Sequence, residues 1–194
     1  MLDQDFFARD ALVVARALVG AHIVHESPRG VARIARIVET EAYRGPRDAA
    51  CHARVGLTKR TRTLFGPPGR AYVYLIYGMY DCLNVVCFGE GKGHAVLVRA
   101  VEPIAGFDAR GDGPGRLTRA LGITPAHDGV ELTRGPLYLA ARDRRPRIAV
   151  TARVGVGYAG EIADAPWRFF DAASKHVSRP SARTIGRGTI TASG

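Results

Sequence analysis

The first twenty residues carry apolar side chains every three to four positions, which is the spacing of one face of an α-helix. These apolar residues are Phe6, Phe7, Leu12, Val13, Val14 and Leu18. The pattern predicts a helix from Asp5 to Gly20. Gly20 is its predicted end, because glycine readily adopts the left-handed conformation that follows many helices.

Extended patterns follow this helix. Residues 22–26 and 31–41 are rich in β-branched side chains and predict a β-hairpin, with a turn at residues 27–30 that contains proline and glycine. Residues 58–69 are polar and basic and end in Gly-Pro-Pro-Gly, a composition typical of a surface loop.

The remaining elements are mostly strands. Strands are predicted at residues 71–77, 82–88, 94–101, 147–154 and 167–170, and a short helix at residues 116–121 that Gly122 ends. The segment from about Ser178 is rich in Arg, Ser, Thr and Gly, which is typical of a mobile tail. Hairpin-linked strands that outnumber helices predict a single compact α+β domain over residues 1–194, with a curved, mainly antiparallel sheet flanked by helices.

Charge and cysteine content narrow the functional class. The 194 residues carry a formal net charge of +10, which favours polyanionic partners such as nucleic acids. A general bias toward arginine is the alternative, since the chain has few lysines. The three cysteines form no C-x-x-C pair and predict reduced thiols. An acidic N-terminus and the lack of a long apolar run predict a cytoplasmic protein without membrane contact.

A pair of glutamates is the first candidate for chemistry. Glu39, Glu41 and Tyr43 alternate along one predicted strand, so their side chains point to the same face. Such a face is either solvated or holds a general base beside an aromatic wall. Two close glutamates are also typical of sugar hydrolases. Alternation alone does not decide which glutamate would be the base.

Four tyrosines within residues 72–80 form the second candidate. Tyr72 and Tyr74 share one strand face, and Tyr77 lies on the other face just before a glycine turn. Aromatic packing between strands is one interpretation of this pattern. Stacking on nucleobases, with Tyr77 as a wedge in a duplex, is the other.

Single polar residues interrupt strands that are otherwise apolar. Asn84 and Arg99 each require buried partners, and both also fit a binding site. His52 alone is more typical of a structural histidine than of a catalytic one. No spacing of His, Cys and Asp predicts a metal site, so neither a metal nor another cofactor is expected.

Longer segments resemble a known family. VETEAYRGPRDAACHA, FGPPGRAYVYLIYGMYDCLNVV, VLVRAVEP, GPGRLTRALGI, ARVGVGYAGE and PWRFF, in this order, are similar to the alkyladenine (3-methyladenine) DNA glycosylases. Together they cover most of the chain from about residue 5 to residue 178. The resemblance implies a fold like the C-terminal domain of formyltransferases. It also implies an enzyme that flips alkylated and some deaminated purines out of double-stranded DNA without a metal or other cofactor. A monomer without an obligatory protein partner is expected, because one lesion needs one pocket.

The same resemblance implies roles for individual residues. Glu41 matches the catalytic base, Arg99 helps to position the water, and the backbone carbonyl of Val154 lies beside that water. The remaining roles are a base sandwich formed by Tyr43, His52 and Tyr74, a guanine-excluding pocket residue Asn84, a wedge Tyr77, and phosphate contacts from Arg54, Thr58, Arg60 and Arg116.

The chain also departs from the family pattern. Arg116 stands where lysine is common, and the loop around Leu57 lacks one basic residue that some members carry. No lysine occurs in the motifs that supply the catalytic and pocket residues, so simple hydrolysis to an abasic site is expected rather than a lyase step. A non-catalytic nucleic-acid-binding module and a sugar hydrolase that uses Glu39 with Glu41 are the alternatives.

Overall fold

The computed structural model describes residues 1–27, 30–76, 78–178 and 190–191. In this part of the chain, nine strands form one curled sheet, and all of their pairings are antiparallel. Three short α-helices accompany the sheet. The predicted α+β class and mainly antiparallel sheet are therefore confirmed, whereas the likeness to formyltransferases stays a prediction.

The helices are α1 Gln4–Phe7, α2 Ala11–Leu18 and α3 Pro114–Leu121. The strands are β1 His22–Glu26, β2 Ala32–Arg44, β3 Ala71–Ile76, β4 Tyr80–Cys87, β5 His94–Ala105, β6 Leu137–Ala140, β7 Ile148–Thr151, β8 Arg168–Asp171 and β9 Ile190–Thr191. Their order across the sheet is β3-β4-β5-β2-β8-β7-β9, and β1 pairs with both β2 and β6.

The single N-terminal helix predicted from Asp5 to Gly20 is wrong. Two helices occupy this segment, because Asp10 leaves the helical conformation and its side chain accepts a hydrogen bond from the Leu12 amide at 2.9 Å. A side chain that caps the first turn in this way starts a new helix. Gly20 does have a positive φ of 93°, but it lies beyond the end of α2.

The sheet has one apolar face covered by α2. The helix buries Ala11, Val14, Ala15 and Leu18, spaced as one helical stripe, against the sheet. The sheet contributes alternate residues to this core, namely Ala42 of β2, Ala71 and Val73 of β3, Leu83 and Val85 of β4, and Val96 and Val98 of β5. The residues between them therefore point to the opposite face of the sheet.

Helix α3 lies against β4 and ends as predicted. Gly122 takes the left-handed conformation at φ 73°, and its amide bonds back to the last turn. The Thr118 hydroxyl donates to the Asp81 carbonyl at 3.0 Å. A Cβ on Gly115 would approach the Cβ of Tyr80 to 2.8 Å, so a glycine is required for this close contact.

The other predictions hold with adjusted bounds. The hairpin of β1 and β2 is confirmed, and β2 extends to Arg44. Strand β6 was not predicted. The expected mobile tail beyond Ser178 lies outside the described residues, apart from β9. No helix in the described ranges has both the length and the apolar character needed to span a bilayer.

Candidate active site

A cavity of about 530 Å³ opens on the face of the sheet opposite to α2. Paired residues of antiparallel strands point to the same face, and the register joins four strands at this cavity. The pairs are Tyr43 with Ala95, Glu41 with Leu97, Asn84 with Leu97, Tyr72 with Asn84, and Tyr74 with Cys82. The predicted shared face of Glu39, Glu41 and Tyr43, and that of Tyr72 and Tyr74, are thus confirmed.

The Glu41 carboxylate is the centre of the site. Its Oε1 accepts the Val154 amide at 2.7 Å and lies 3.3 Å from the Arg99 guanidinium. Its Oε2 accepts the Tyr43 hydroxyl at 2.8 Å. Among the described residues, each oxygen thus accepts one hydrogen bond, and Oε1 in addition faces the Arg99 cation.

Glu41 is completely buried and does not itself line the cavity. Tyr43, Arg99 and Val154, which contact its carboxylate, all do. A water molecule that reaches Glu41 must therefore enter between these three residues.

Glu39 is held differently, although it is also completely buried. Its Oε1 accepts from Arg99 at 3.0 Å, from Arg168 at 2.6 Å and from the Ser178 hydroxyl at 2.9 Å. Its Oε2 accepts the Ser178 amide at 2.6 Å. These fixed donors engage the carboxylate, and both glutamates lie beside the same arginine rather than across a cleft. This arrangement argues against a sugar hydrolase built on Glu39 and Glu41.

Arg99 connects the two glutamates at an irregularity in the sheet. The register between β2 and β5 shifts on both sides of Glu39 and then returns to its earlier alignment. Bulges of this kind re-aim side chains. Burial alone would lower the pKa of Arg99, but the carboxylates of Glu41 and Glu39 raise it above its ordinary value. Arg99 is therefore a permanent cation at the wall of the cavity.

Aromatic rings form the cavity walls. The ring centroids of His52 and Tyr74 are 4.4 Å apart, and those of Tyr72 and Tyr74 are 5.2 Å apart. The Tyr72 hydroxyl lies 3.1 Å from Nδ1 of His52. Burial, aided by the charge of Arg60, lowers the pKa of His52, so its imidazole is neutral at pH 7. Burial also raises the pKa of Tyr72 to about 12, which keeps its hydroxyl protonated.

Asn84 lies on the cavity floor, and its side-chain amide donates to the Tyr72 carbonyl at 3.3 Å. It thus satisfies the backbone and also faces the cavity. The sequence presented these two roles as alternatives, and the structure is compatible with both.

A buried ion pair that the sequence did not reveal supports the site. The Arg153 guanidinium binds both carboxylate oxygens of Asp48, at 2.6 and 3.0 Å, and donates to the Ala42 carbonyl at 3.1 Å. It also lies 4.7 Å from the ring centre of Tyr43. Arg153 precedes Val154, so this pair fixes both the Tyr43 ring and the amide that binds Glu41. An aspartate after Gly-Pro-Arg in one motif was the only sequence signal.

The predicted phosphate contacts lie in several surroundings. Arg54 is exposed. Thr58 bonds within its own turn to Thr61. Arg60 donates to the Leu75 carbonyl at 3.2 Å, and its guanidinium lies 5.8 Å from the Tyr74 ring centre. Arg116 lines the cavity and pairs with an aspartate. The predicted wedge, Tyr77, lies outside the described residues.

The site offers oxygen and imidazole groups but no metal cluster. No group of three or more His, Cys, Asp or Glu side chains in the described ranges is arranged to hold a metal ion. Cys51 and Cys82 line the cavity as free thiols, and burial raises the pKa of each to about 11. The arrangement therefore fits an aromatic ligand held between rings, next to a carboxylate able to activate water.

Comparisons with known proteins give a consistent result. The family model described as methylpurine-DNA glycosylase matches residues 5–175. A protein of Myxococcus xanthus is 53% identical over 92% of this chain and 93% of its own length. Proteins of Methanocella arvoryzae and Legionella pneumophila are 46% and 45% identical, over 92% of this chain and 96% and 98% of their own lengths. All three carry the provisional name 3-methyladenine DNA glycosylase.

Proposed function

The chain belongs to the methylpurine-DNA glycosylase family, and on this premise we propose that it excises 3-methyladenine and 7-methylguanine from double-stranded DNA. Deaminated and etheno purines are further substrates of the same pocket. The damaged nucleotide flips out of the duplex, and hydrolysis of its N-glycosidic bond leaves an abasic site. The observation that carries the proposal is the buried Glu41, which accepts two hydrogen bonds and pairs with Arg99, behind an aromatic cavity of purine-accommodating size.

The flipped base lies between Tyr43 on one side and the His52–Tyr74 pair on the other. The 4.4 Å between the His52 and Tyr74 rings leaves no space for a base between those two. A methylated purine that carries a positive charge is attracted to the faces of the neutral rings by about 1 kcal/mol or more when water is excluded. The neutral imidazole of His52 adds no opposing charge.

Glu41 acts as the general base of the hydrolysis. A water molecule donates a proton to Oε2, the oxygen that does not face the Arg99 cation, and its oxygen bonds to C1′ of the sugar. The bond between C1′ and the purine nitrogen breaks, and its electron pair leaves with the purine. The carboxylate also stabilises the positive charge that develops on the sugar.

Arg99 and Val154 position the reacting groups. Both hold Oε1, so Oε2 is directed toward the water. The Val154 carbonyl accepts a hydrogen bond from the other O–H of this water, which remains on the sugar as the new hydroxyl. Asn84 rejects the 2-amino group of guanine by steric clash, because the hydrogen bond from its side-chain amide to the Tyr72 carbonyl holds it in place on the cavity floor.

The duplex is held by exposed basic side chains and one threonine around the cavity. Arg54, Thr58, Arg60 and Arg116 contact phosphates, and Tyr77 fills the stack that the flipped base leaves. The enzyme acts as a monomer, since one cavity accommodates one lesion.

The experiment that tests the proposal compares wild type with Glu41→Gln and with Glu161→Gln, an exposed control. Methylated DNA and duplexes with one hypoxanthine or one ethenoadenine are incubated with each protein in EDTA. We expect purine release and alkali-dependent breaks from wild type and the control. We expect Glu41→Gln to bind the lesion but to release purine about 10²–10⁴-fold more slowly, the contribution typical of a general base. Normal release by a folded Glu41→Gln variant would remove Glu41 from this role.

A further inference from the structure

A second cavity, of about 400 Å³, lies beside the active-site cavity and is lined by arginines. Its basic residues are Arg33, Arg110, Arg116 and Arg119, and we refer to it as the arginine cavity. Arg116 lines both cavities, so the two adjoin at this side chain. The family resemblance assigns no role to Arg33, Arg110 or Arg119.

The loop that forms one wall of the arginine cavity is fixed at both ends. Gly106 has a φ of 78°, and a Cβ there would come within 2.0 Å of the Ala32 carbonyl oxygen. A Cβ on Gly111 would lie 2.5 Å from the Val101 side chain, and the Val101 amide donates to the Gly111 carbonyl at 2.9 Å. Phe107, between these glycines, packs against the main core. This wall is therefore preformed rather than adaptable.

The opposite wall is equally well defined. Arg116 and Arg119 are three residues apart on α3, so they share one face of the helix. The Arg33 guanidinium donates to the Ala120 carbonyl at 3.2 Å, which joins the floor of the cavity to the helix.

The charges of the arginine cavity are not balanced. Asp112 pairs with Arg110 through two hydrogen bonds, at 2.5 and 3.2 Å, and with Arg116 at 3.0 Å. Within the described ranges, neither Arg33 nor Arg119 has a carboxylate partner. Four guanidinium groups therefore line this cavity and no carboxylate of the described residues does; Asp112 pairs with two of the four, and Asp108 lies on the same loop without lining the cavity. Such an excess of cations around a rigid cavity is a site for an anion with several oxygens, because guanidinium forks match phosphate geometry.

We propose that the arginine cavity binds backbone phosphates of the DNA strand that runs on from the lesion. The proposal rests on the proposed function, since it takes the DNA held at the active-site cavity as its ligand. The shared Arg116 makes the two sites continuous, as a duplex backbone requires. The Arg110 and Arg116 side chains are 68% and 56% exposed, which allows them to reach a strand lying over the cavity rather than inside it.

The test measures binding to an undamaged duplex by wild type, by the double variant Arg110→Gln/Arg119→Gln and by a control. The control is Arg134→Gln, an exposed arginine that lines neither cavity and pairs with Glu131. Each phosphate contact contributes about 0.9 to the slope of log K against log salt concentration. We expect the magnitude of this slope to fall by about 1.8 in the double variant. The control should stay nearer to the wild-type slope than the double variant does.

A double variant with the slope and affinity of wild type would overturn the proposal. Binding of inorganic phosphate is measured with the same proteins. If the double variant loses phosphate binding but binds DNA like wild type, the proposal is also overturned, because the cavity would then bind a small anion instead of the DNA backbone. Release of methylated purine by wild type is measured in parallel. A lack of release would contradict the proposed function, whereas the salt slope on undamaged DNA would still test the arginine cavity.

Discussion

The buried pair of Asp48 and Arg153 allows a quantitative prediction. Both side chains are fully enclosed, and the Asp48 carboxylate accepts two guanidinium hydrogen bonds. Asp48→Ala leaves the Arg153 cation without its partner in the interior. Breaking a buried pair in this way costs about 3–5 kcal/mol. For a chain of this size each kcal/mol lowers the melting temperature by roughly 2–4 °C, so the expected decrease is roughly 6–20 °C.

The control for this prediction is Asp112→Ala. Asp112 accepts from three guanidinium nitrogens, but the Arg110 and Arg116 side chains that carry them are mostly exposed. Exposed pairs contribute at most about 1 kcal/mol, so this variant should melt within about 4 °C of wild type. Thermal unfolding by circular dichroism at pH 7 measures both variants. At a temperature at which all are folded, Asp48→Ala should also excise more slowly, because Arg153 holds the Tyr43 ring and precedes Val154.

A third variant separates the charge from the packing. Asp48→Ala combined with Arg153→Met removes both charges, and it should recover part of the lost stability because no unpaired cation remains. The reasoning is refuted if Asp48→Ala melts like wild type. It is also refuted if the double variant loses more free energy of unfolding than the two single variants, Asp48→Ala and Arg153→Met, lose together.

Two further predictions concern pH and selectivity. Burial, with a smaller effect of His25, lowers the pKa of His127, so its contribution to stability is complete above the unfolded value of roughly 6.5 and is lost as the pH falls below it. Urea unfolding should therefore give a lower free energy at pH 5.5 than at pH 7.5, and His127→Gln should reduce this difference; equal values for wild type at both pH values would contradict the assignment. Asn84→Ser should increase the release of undamaged guanine relative to hypoxanthine, measured as free bases from matched duplexes, and an unchanged ratio would exclude Asn84 as the selecting residue.

Features with a short period along the sequence were predictable. The shared face of Glu39, Glu41 and Tyr43 follows from alternation within one strand, and the end of α3 follows from Gly122 alone. The prediction of one N-terminal helix was wrong because the apolar spacing continues across Asp10. This spacing gives no sign that the Asp10 side chain caps a second helix.

Features that depend on distant pairing were not predictable. Asp48 and Arg153 are separated by 105 residues, and neither has a local pattern that selects the other. The partners of Glu39 include Arg168 and Ser178, which are far along the chain. Without these partners, alternation along the strand makes Glu39 and Glu41 equivalent, and only the family resemblance distinguishes them. Only the fold shows that one carboxylate has structural partners on all sides while the other adjoins a cavity.

The two faces of the sheet have a consequence for insertions and deletions. Along β3 and β4, residues that line the cavity alternate with residues of the apolar core, as Asn84 does with Leu83 and Val85. Losing one residue within β4 would exchange these faces, bringing the amide into the core and the aliphatic side chains into the cavity. Residues that stabilise the core and residues that contact the base are therefore immediate neighbours in the sequence of each strand. The spacing of these strands is as much a determinant of lesion recognition as the residues themselves.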